Sequence, residues 1–330
     1  MYAITITEPG GPEVLEWTEV PDPSPEPDEV VIDVAATSIN RADVMQRKGF
    51  YPPPRGAPAW PGLECSGTVR AVGDQAAASY PWREGDQVCA LLAGGGYAEQ
   101  VAVPAGQLLP VPQGMSLPTA GALPEVTCTV WSNLVQVAGL HEGQTVLIHG
   151  GAGGIGTTAI QVAKALGATV AVTAGSAAKL KRCAQLGADI LVNYHEQDFV
   201  EVVRDSTAGH GADVVLDVVG AAYLSRNIDV LATGGHVVVI GLQKGRKGEL
   251  DLSALMGKRA SLSGTTLRAR PTSEKVDVVQ AVRTNVWPLL DDGRLEVVVD
   301  RTVPLHEAAE AHRIFDSGEH VGKIVLARFG

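Results

Sequence analysis

Cysteine is scarce and dispersed: the 330-residue chain holds four, Cys65, Cys89, Cys128 and Cys183, with no CxxC pair. That spacing excludes a structural zinc cluster and a disulfide framework, and it points to a reducing compartment. The eight histidines form no HxxH or HExxH pair, so each reads as a surface or capping residue. Long apolar runs are missing as well, none approaching the roughly 20 residues that a membrane span needs. The N-terminal MYAITITEPGGPEVLEW has neither the basic start nor the apolar segment of a leader. A cytoplasmic protein without membrane contact is expected. Basic charge is in deficit, with 26 Lys and Arg against 37 Asp and Glu and a net charge of −11, which makes nucleic acid a poor partner. The densest basic stretch, Lys244, Arg246 and Lys247, is interrupted by glycine and reads as solvated surface.

Glycine, by contrast, is abundant, and 45% hydrophobic against 19% charged residues is the balance of a chain that buries a large core. The length suits two domains, because single cores stop growing at about 250 to 300 residues. Up to about residue 124 the chain is β-rich and irregular, with short runs such as Glu29 to Ala35 and Gly67 to Val72 and an extended proline-rich loop at Pro21 to Asp28. Beyond Pro124, β-branched runs alternate with helical stretches. The expected strands are 145–149, 169–173, 190–193, 213–219, 236–241 and 260–265, which implies a doubly wound parallel sheet. Gly167 and Gly187 end the first two intervening helices. The remainder predicts a helix around 274–290, a strand around 295–300, a helix over 306–317 and a closing strand over 323–328. The expected organisation is therefore residues 125–267 as a nucleotide-binding domain, with 1–124 and 268–330 forming a second domain that the C-terminus completes, and an active site in the cleft of the two.

The eight residues HGGAGGIG at 149–156 follow the strand 145–148 and open a helix, the context in which a glycine-rich turn binds a dinucleotide. Gly151 is expected to make the tight turn, Gly153 to admit the pyrophosphate and Gly156 to pack helix on strand, with Ala152, Gly154 and Ile155 completing the cradle. A domain that prefers NAD carries an acid about 20 residues after the first glycine. Here that region reads Thr173, Ala174, Gly175, Ser176, with Lys179 one turn further on. No carboxylate repels a 2′-phosphate there, and a hydroxyl and an ammonium could receive it, so NADPH is the expected cofactor.

Several segments in order, GGPEVLEW at 10–17, SINRADVMQRKGFYPPP at 38–54, PGLECSGTVRAVG at 61–73, HGGAGGIGTTAIQVAKALGA at 149–168 and GKIVL at 322–326, resemble the medium-chain dehydrogenase/reductase superfamily. Within it they resemble the zeta-crystallin-like quinone oxidoreductases, and Asn40 to Arg47 is similar to the branch of the tumour-suppressor-inducible quinone reductase. The resemblance implies a Rossmann α/β domain beside a β-rich GroES-like catalytic domain. It also implies cofactor contacts at Ser176, Lys179 and Tyr194, matching the family's Ser, Lys and Tyr, and at Thr129, Gly241 and Lys323. The zinc-dependent members hold a catalytic metal, but at the corresponding positions this chain has Asn40, Leu63 before Glu64, and Glu125, which is no zinc site.

Quinones and enones accept hydride without a Lewis acid, since the charge moves onto a conjugated oxygen that neutral donors stabilise. Asn40 and Tyr51, on the segment after the strand 30–36, are the expected donors to that oxygen. Asp43 is expected to pair with an arginine, and Glu64 to be structural. The expected activity is an NADPH:quinone oxidoreductase; an enone or enal reductase and an NADPH-binding protein without turnover are the alternatives. The 260–266 strand at the sheet edge, if left uncovered, would pair with its twin in a homodimer.

Overall fold

The computed structural model describes residues 1–328. Fifteen strands follow one another along them: β1 (Tyr2–Ile6), β2 (Leu15–Glu19), β3 (Glu29–Ser38), β4 (Glu64–Val72), β5 (Gln87–Leu91), β6 (Gln100–Pro104), β7 (Leu108–Pro110), β8 (Thr145–His149), β9 (Thr169–Ala174), β10 (Ile190–Asn193), β11 (Ala212–Asp217), β12 (Leu231–Val239), β13 (Ser261–Gly264), β14 (Val299–Pro304) and β15 (Lys323–Ala327). They fall into two compact units. One holds Met1–Cys128, Leu267–Asp292 and the chain from Val297 onward; the other holds Thr129–Thr266 and Gly293–Glu296.

In the second unit six strands pair in the order β10-β9-β8-β11-β12-β13, every pair parallel. This is the doubly wound order, reversing at β8, which places the loops after β8 and β11 at the switch point where such sheets bind ligands. β8 is buried along its whole length, as a central parallel strand covered on both faces must be. Gly167 and Gly187 follow their helices with φ of +81° and +107°, as their positions in the sequence imply.

In the first unit the order is β14-β15-β3-β4-β5-β7, with β6 also pairing β3. β15 runs antiparallel to β3 and aligns Val325 with Ser38, so the last strand completes the sheet begun near the N-terminus. Val30, Ile32, Val34, Val88, Ala90 and Leu108 fill one core of this unit.

Two expected elements are displaced. The helix around 274–290 is two helices, Thr272–Asn285 and Trp287–Asp291, because Pro288 lacks an N–H and its ring crowds the preceding residue. The strand expected around 295–300 begins only at Val299, since Glu296 gives its N–H to Gln161 Oε1 (2.8 Å) and its carbonyl to Gln161 Nε2 (3.0 Å). A backbone satisfied by a side chain is not available to a ladder.

Candidate functional site

The glycine turn lies at the C-terminal end of β8, but its glycines divide the work differently from the sequence expectation. The tight turn belongs to Gly150, with φ +71°, and not to Gly151. Gly151 is instead a close-approach position, since a Cβ there would lie 2.8 Å from Val172 Cβ and 3.2 Å from Cys183 Sγ. Gly156 packs the helix onto the turn itself, where a Cβ would meet Gly150 O at 2.4 Å. Gly153 caps the helix Gly154–Ala165 with no side chain, leaving the first N–H groups without a capping acceptor. Gly153, Gly154 and Ile155 are partly exposed while Ala152 is buried beneath them. A bare N-terminus of a twelve-residue helix, reached by a turn with no room for a Cβ at Gly151 or Gly156, has the form that suits a pyrophosphate.

Four further predicted residues converge at the end of β9. Ser176 caps the helix Ala177–Gln185, accepting from the N–H of Lys179 at 3.4 Å. A Cβ on Gly175 would sit 2.5 Å from Tyr194 Oη, so the phenol lies against bare backbone next to Ser176. Lys244, which the sequence suggested was only solvated surface, is exposed but holds its ammonium 5.6 Å from the Tyr194 ring centre. Its signal in the sequence was hidden, because β12 alone brings it to Tyr194.

Gly241 lies just beyond β12, where a Cβ would press on Val218 O at 2.8 Å, and so lets two loops meet. Asp217 ties the 218–220 loop by accepting from Val219 N (2.6 Å) and Gly220 N. Thr129 precedes a π-helical turn at Ser132–Val137, and its carbonyl accepts from Asn133 Nδ2 at 2.7 Å. Such turns recur at functional sites.

His149 and His312 are buried, contrary to the expectation of surface histidines. His149 Nε2 donates to Asn227 Oδ1 (2.8 Å) and Nδ1 faces the Thr173 hydroxyl (3.1 Å), while burial pushes its pKa down to about 4. In the first unit His312 Nδ1 accepts from Arg47 (3.0 Å), because a guanidinium can only donate, so its Nε2–H is directed to Tyr97 Oη (3.1 Å). Burial holds that imidazole down to about 3.

The same unit gathers Asn40, Glu64 and Lys323 into a buried knot. Lys323 Nζ bonds Glu64 Oε1 (2.9 Å), Asn40 Oδ1 (2.7 Å) and Ile39 O (3.3 Å), which accounts for all three of its protons. Asn40 Nδ2 donates to Glu64 Oε1 at 2.9 Å, Ser38 Oγ adds a further bond there, and Glu64 Oε2 accepts from Glu125 N (2.9 Å). The sequence expects Lys323 to contact the cofactor and Asn40 to face the acceptor; here the Lys323 ammonium is engaged in an ion pair, and the Asn40 amide holds that pair.

Asp43 does not pair with an arginine: its oxygens accept from Asn40 N (2.8 Å) and Gly62 N (2.9 Å), fixing the helix Arg41–Arg47. Burial raises its pKa to about 6. An ammonium stands in the knot, and among the described residues no three of His, Cys, Asp and Glu converge. This donor set does not fit a zinc ion.

Tyr51 is partly exposed, with burial and the Glu125 carboxylate raising its hydroxyl pKa. The Arg268 guanidinium lies 5.4 Å from its ring centre and is held by Ala93 O (2.6 Å) and Gln46 Oε1 (2.7 Å). Arg268 and Gln46 were not singled out in the sequence, since nothing local distinguishes them and the bond between them spans more than 200 residues.

Residues 26–113 match the alcohol dehydrogenase GroES-like domain, and residues 154–283 match the zinc-binding dehydrogenase family. The chain is 30% identical to the quinone oxidoreductase of Rattus norvegicus, covering 99% of this chain and 97% of that protein. It is 32% identical to a phenolphthiocerol/phthiocerol polyketide synthase of Mycobacterium tuberculosis; 98% of this chain aligns, spanning only 15% of that much longer protein. Among solved structures it is similar to Escherichia coli quinone oxidoreductase complexed with NADPH, at 30% identity and TM-score 0.88 over 99% of this chain and 100% of that one. A structure titled NAD-dependent alcohol dehydrogenase matches at 33% and 0.87, covering 100% of both chains. The CurK enoyl reductase matches at 28% and 0.87, covering 99% of both.

Proposed function

From the chain's membership of the medium-chain dehydrogenase/reductase superfamily, with quinone oxidoreductases as full-length relatives, we propose that it is a zinc-independent, NADPH-dependent quinone oxidoreductase of the cytoplasm. The observation that carries the cofactor is the bare helix start at Gly153–Gly156 beside Ser176, Lys179 and Tyr194, with no carboxylate among them. Lys244 adds a second cation at the same place. The E. coli relative bound to NADPH supports this reading. The cofactor supplies a hydride when bound. Residues 125–267 hold it, with Thr129 and Gly241 as further contacts, and residues 1–124 with 268–330 carry the acceptor.

The acceptor oxygen gains charge as it is reduced, and Tyr51 is the donor that meets it. Its raised pKa keeps the phenol protonated, and Arg268 against its ring adds positive charge beside the developing anion. Asn40, Glu64 and Lys323 position rather than react: the ion pair fills the place of a metal set with a neutral, fully bonded knot. Without a Lewis acid, acceptors whose charge delocalises are the suitable ones, and quinones lead them.

The kcat/KM ratio for NADPH over NADH tests the cofactor. A preference for NADPH that Lys179→Ala reduces by about tenfold or more is expected, the size of a lost charge-assisted bond; a preference for NADH overturns it. NADPH oxidation with ortho-quinones, para-quinones and enals tests the acceptor. The likeness to CurK enoyl reductase and to a polyketide synthase favours enones as the second reading. Turnover of enals alone would establish that reading, and no turnover with any acceptor would leave a protein that only binds NADPH.

A further inference from the structure

Beside the start of the helix Thr272–Asn285 the first unit forms a half-open cavity of about 380 Å³, a size suited to a small organic ligand. Four cations line it, Arg55, Arg268, Arg270 and Lys275, against one carboxylate, Glu29. Arg268 and Lys275 are 4% and 6% exposed, and among the described residues neither has a carboxylate within ion-pair distance. Lys275 Nζ has a single long bond, 3.5 Å to Arg268 O, which leaves protons without acceptors. Arg268 spends three of its five N–H groups on Ala93 O, Tyr51 O and Gln46 Oε1. Asp43 and Glu125 act on Arg268, and Glu125 on Lys275, from beyond that distance, and buried cations not directly paired are costly.

Two further features meet the same cavity. The helix begins at Pro271 with no side-chain cap, so its first N–H groups have no capping acceptor. Gln107, 1% exposed, donates through Nε2 to Leu91 O (2.6 Å), while its Oε1 has no partner. An acceptor oxygen buried in this way calls for a donor that the described residues do not supply.

We propose that this cavity binds a small hydroxylated phosphate ester. Two buried cations and a helix N-terminus match a group with more than one negative charge, and a ligand hydroxyl satisfies Gln107 Oε1. The site is separate from the Ser176–Lys179 corner and does not depend on the quinone reading. It meets the acceptor residues only through Arg268, which touches both the cavity and Tyr51.

Titration calorimetry of the intact protein with glycerol 3-phosphate, inorganic phosphate and sulfate tests it. Saturable binding of both phosphates, weaker for sulfate, is expected to survive Lys179→Met and to fall about tenfold or more in Lys275→Met. Lys275→Arg should regain most of it. Should Lys275→Met not fold, Arg55→Ala at the exposed rim should weaken binding several-fold. No saturable heat, heat lost in Lys179→Met, heat unchanged in Lys275→Met or Arg55→Ala, or sulfate bound equally well would each overturn the proposal.

Discussion

Lys323 and Glu64 show how much one residue's meaning depends on its partner. Both are buried at 4% exposure or less, and each is satisfied chiefly by the other and by Asn40. Removing one leaves an uncompensated charge, so Lys323→Met should lower unfolding free energy by about 3 to 5 kcal/mol. The double variant Lys323→Met with Glu64→Gln should lose less than the sum of the single changes. Urea unfolding of all three variants measures this, and strict additivity would remove the pair as the cause.

The histidines make a second prediction, on pH. His149, at about 4, and His312, at about 3, lie below their ordinary value near 6.5, so the unfolded chain binds two protons that the folded chain refuses. Stability from each is complete above pH 6.5 and is lost as pH falls toward its folded value. Asp43, raised to about 6, runs the other way: its buried carboxylate costs stability at high pH, and that cost fades on acidification. Between pH 6 and 4.5, His149→Gln should therefore flatten the pH dependence of unfolding by about 1.4 kcal/mol per pH unit. An unchanged slope would place a proton on His149 in the folded protein.

At the scale of elements, the cofactor turn was legible in its existence and misread in its parts. Strand, glycines and helix are local patterns, and periodicity reports them. Which glycine turns and which packs depends on Val172 and Cys183, contributed by β9 and the helix after it. Gly156→Ala should abolish NADPH binding or folding, because its methyl would meet the Gly150 carbonyl. Gly153→Ala, 3.5 Å from its nearest protein contact, should fold and bind NADPH more weakly, since the methyl would face the expected pyrophosphate. Cofactor fluorescence with each variant separates the two, and equal binding by both would deny the close approach. The missed break at 286–287 and the late start of β14 have one origin: Pro288 and Gln161 remove backbone groups from the pattern that side-chain hydrophobicity follows.

At the scale of the whole molecule, β13 ends its sheet with no neighbour on the far side among the described residues. Leu262 on it, and Leu252 and Met256 four residues apart on the preceding helix, are exposed at 37%, 62% and 75%. An open edge next to exposed apolar side chains supports the proposal of a homodimer through paired β13 strands. Light scattering after size exclusion should give a dimer, with Leu262→Lys shifting it to monomer; a monomeric parent would refute the interface.

The amino-acid sequence by itself determined the family, the alternation of strand and helix, and the glycine turn, because these reside in local spacing and in segments that keep their order. By its resemblance it also put Asn40, Leu63 and Glu125 in place of the metal-ligand set of the zinc-dependent members. Only the tertiary structure decided what replaces that set, which lysine serves which partner, and that scattered cations at 55, 268, 270 and 275 line one cavity. Charge and hydrogen bonding act across space, and a ladder pairing β15 with β3 joins residues nearly 300 positions apart that no sequence window contains.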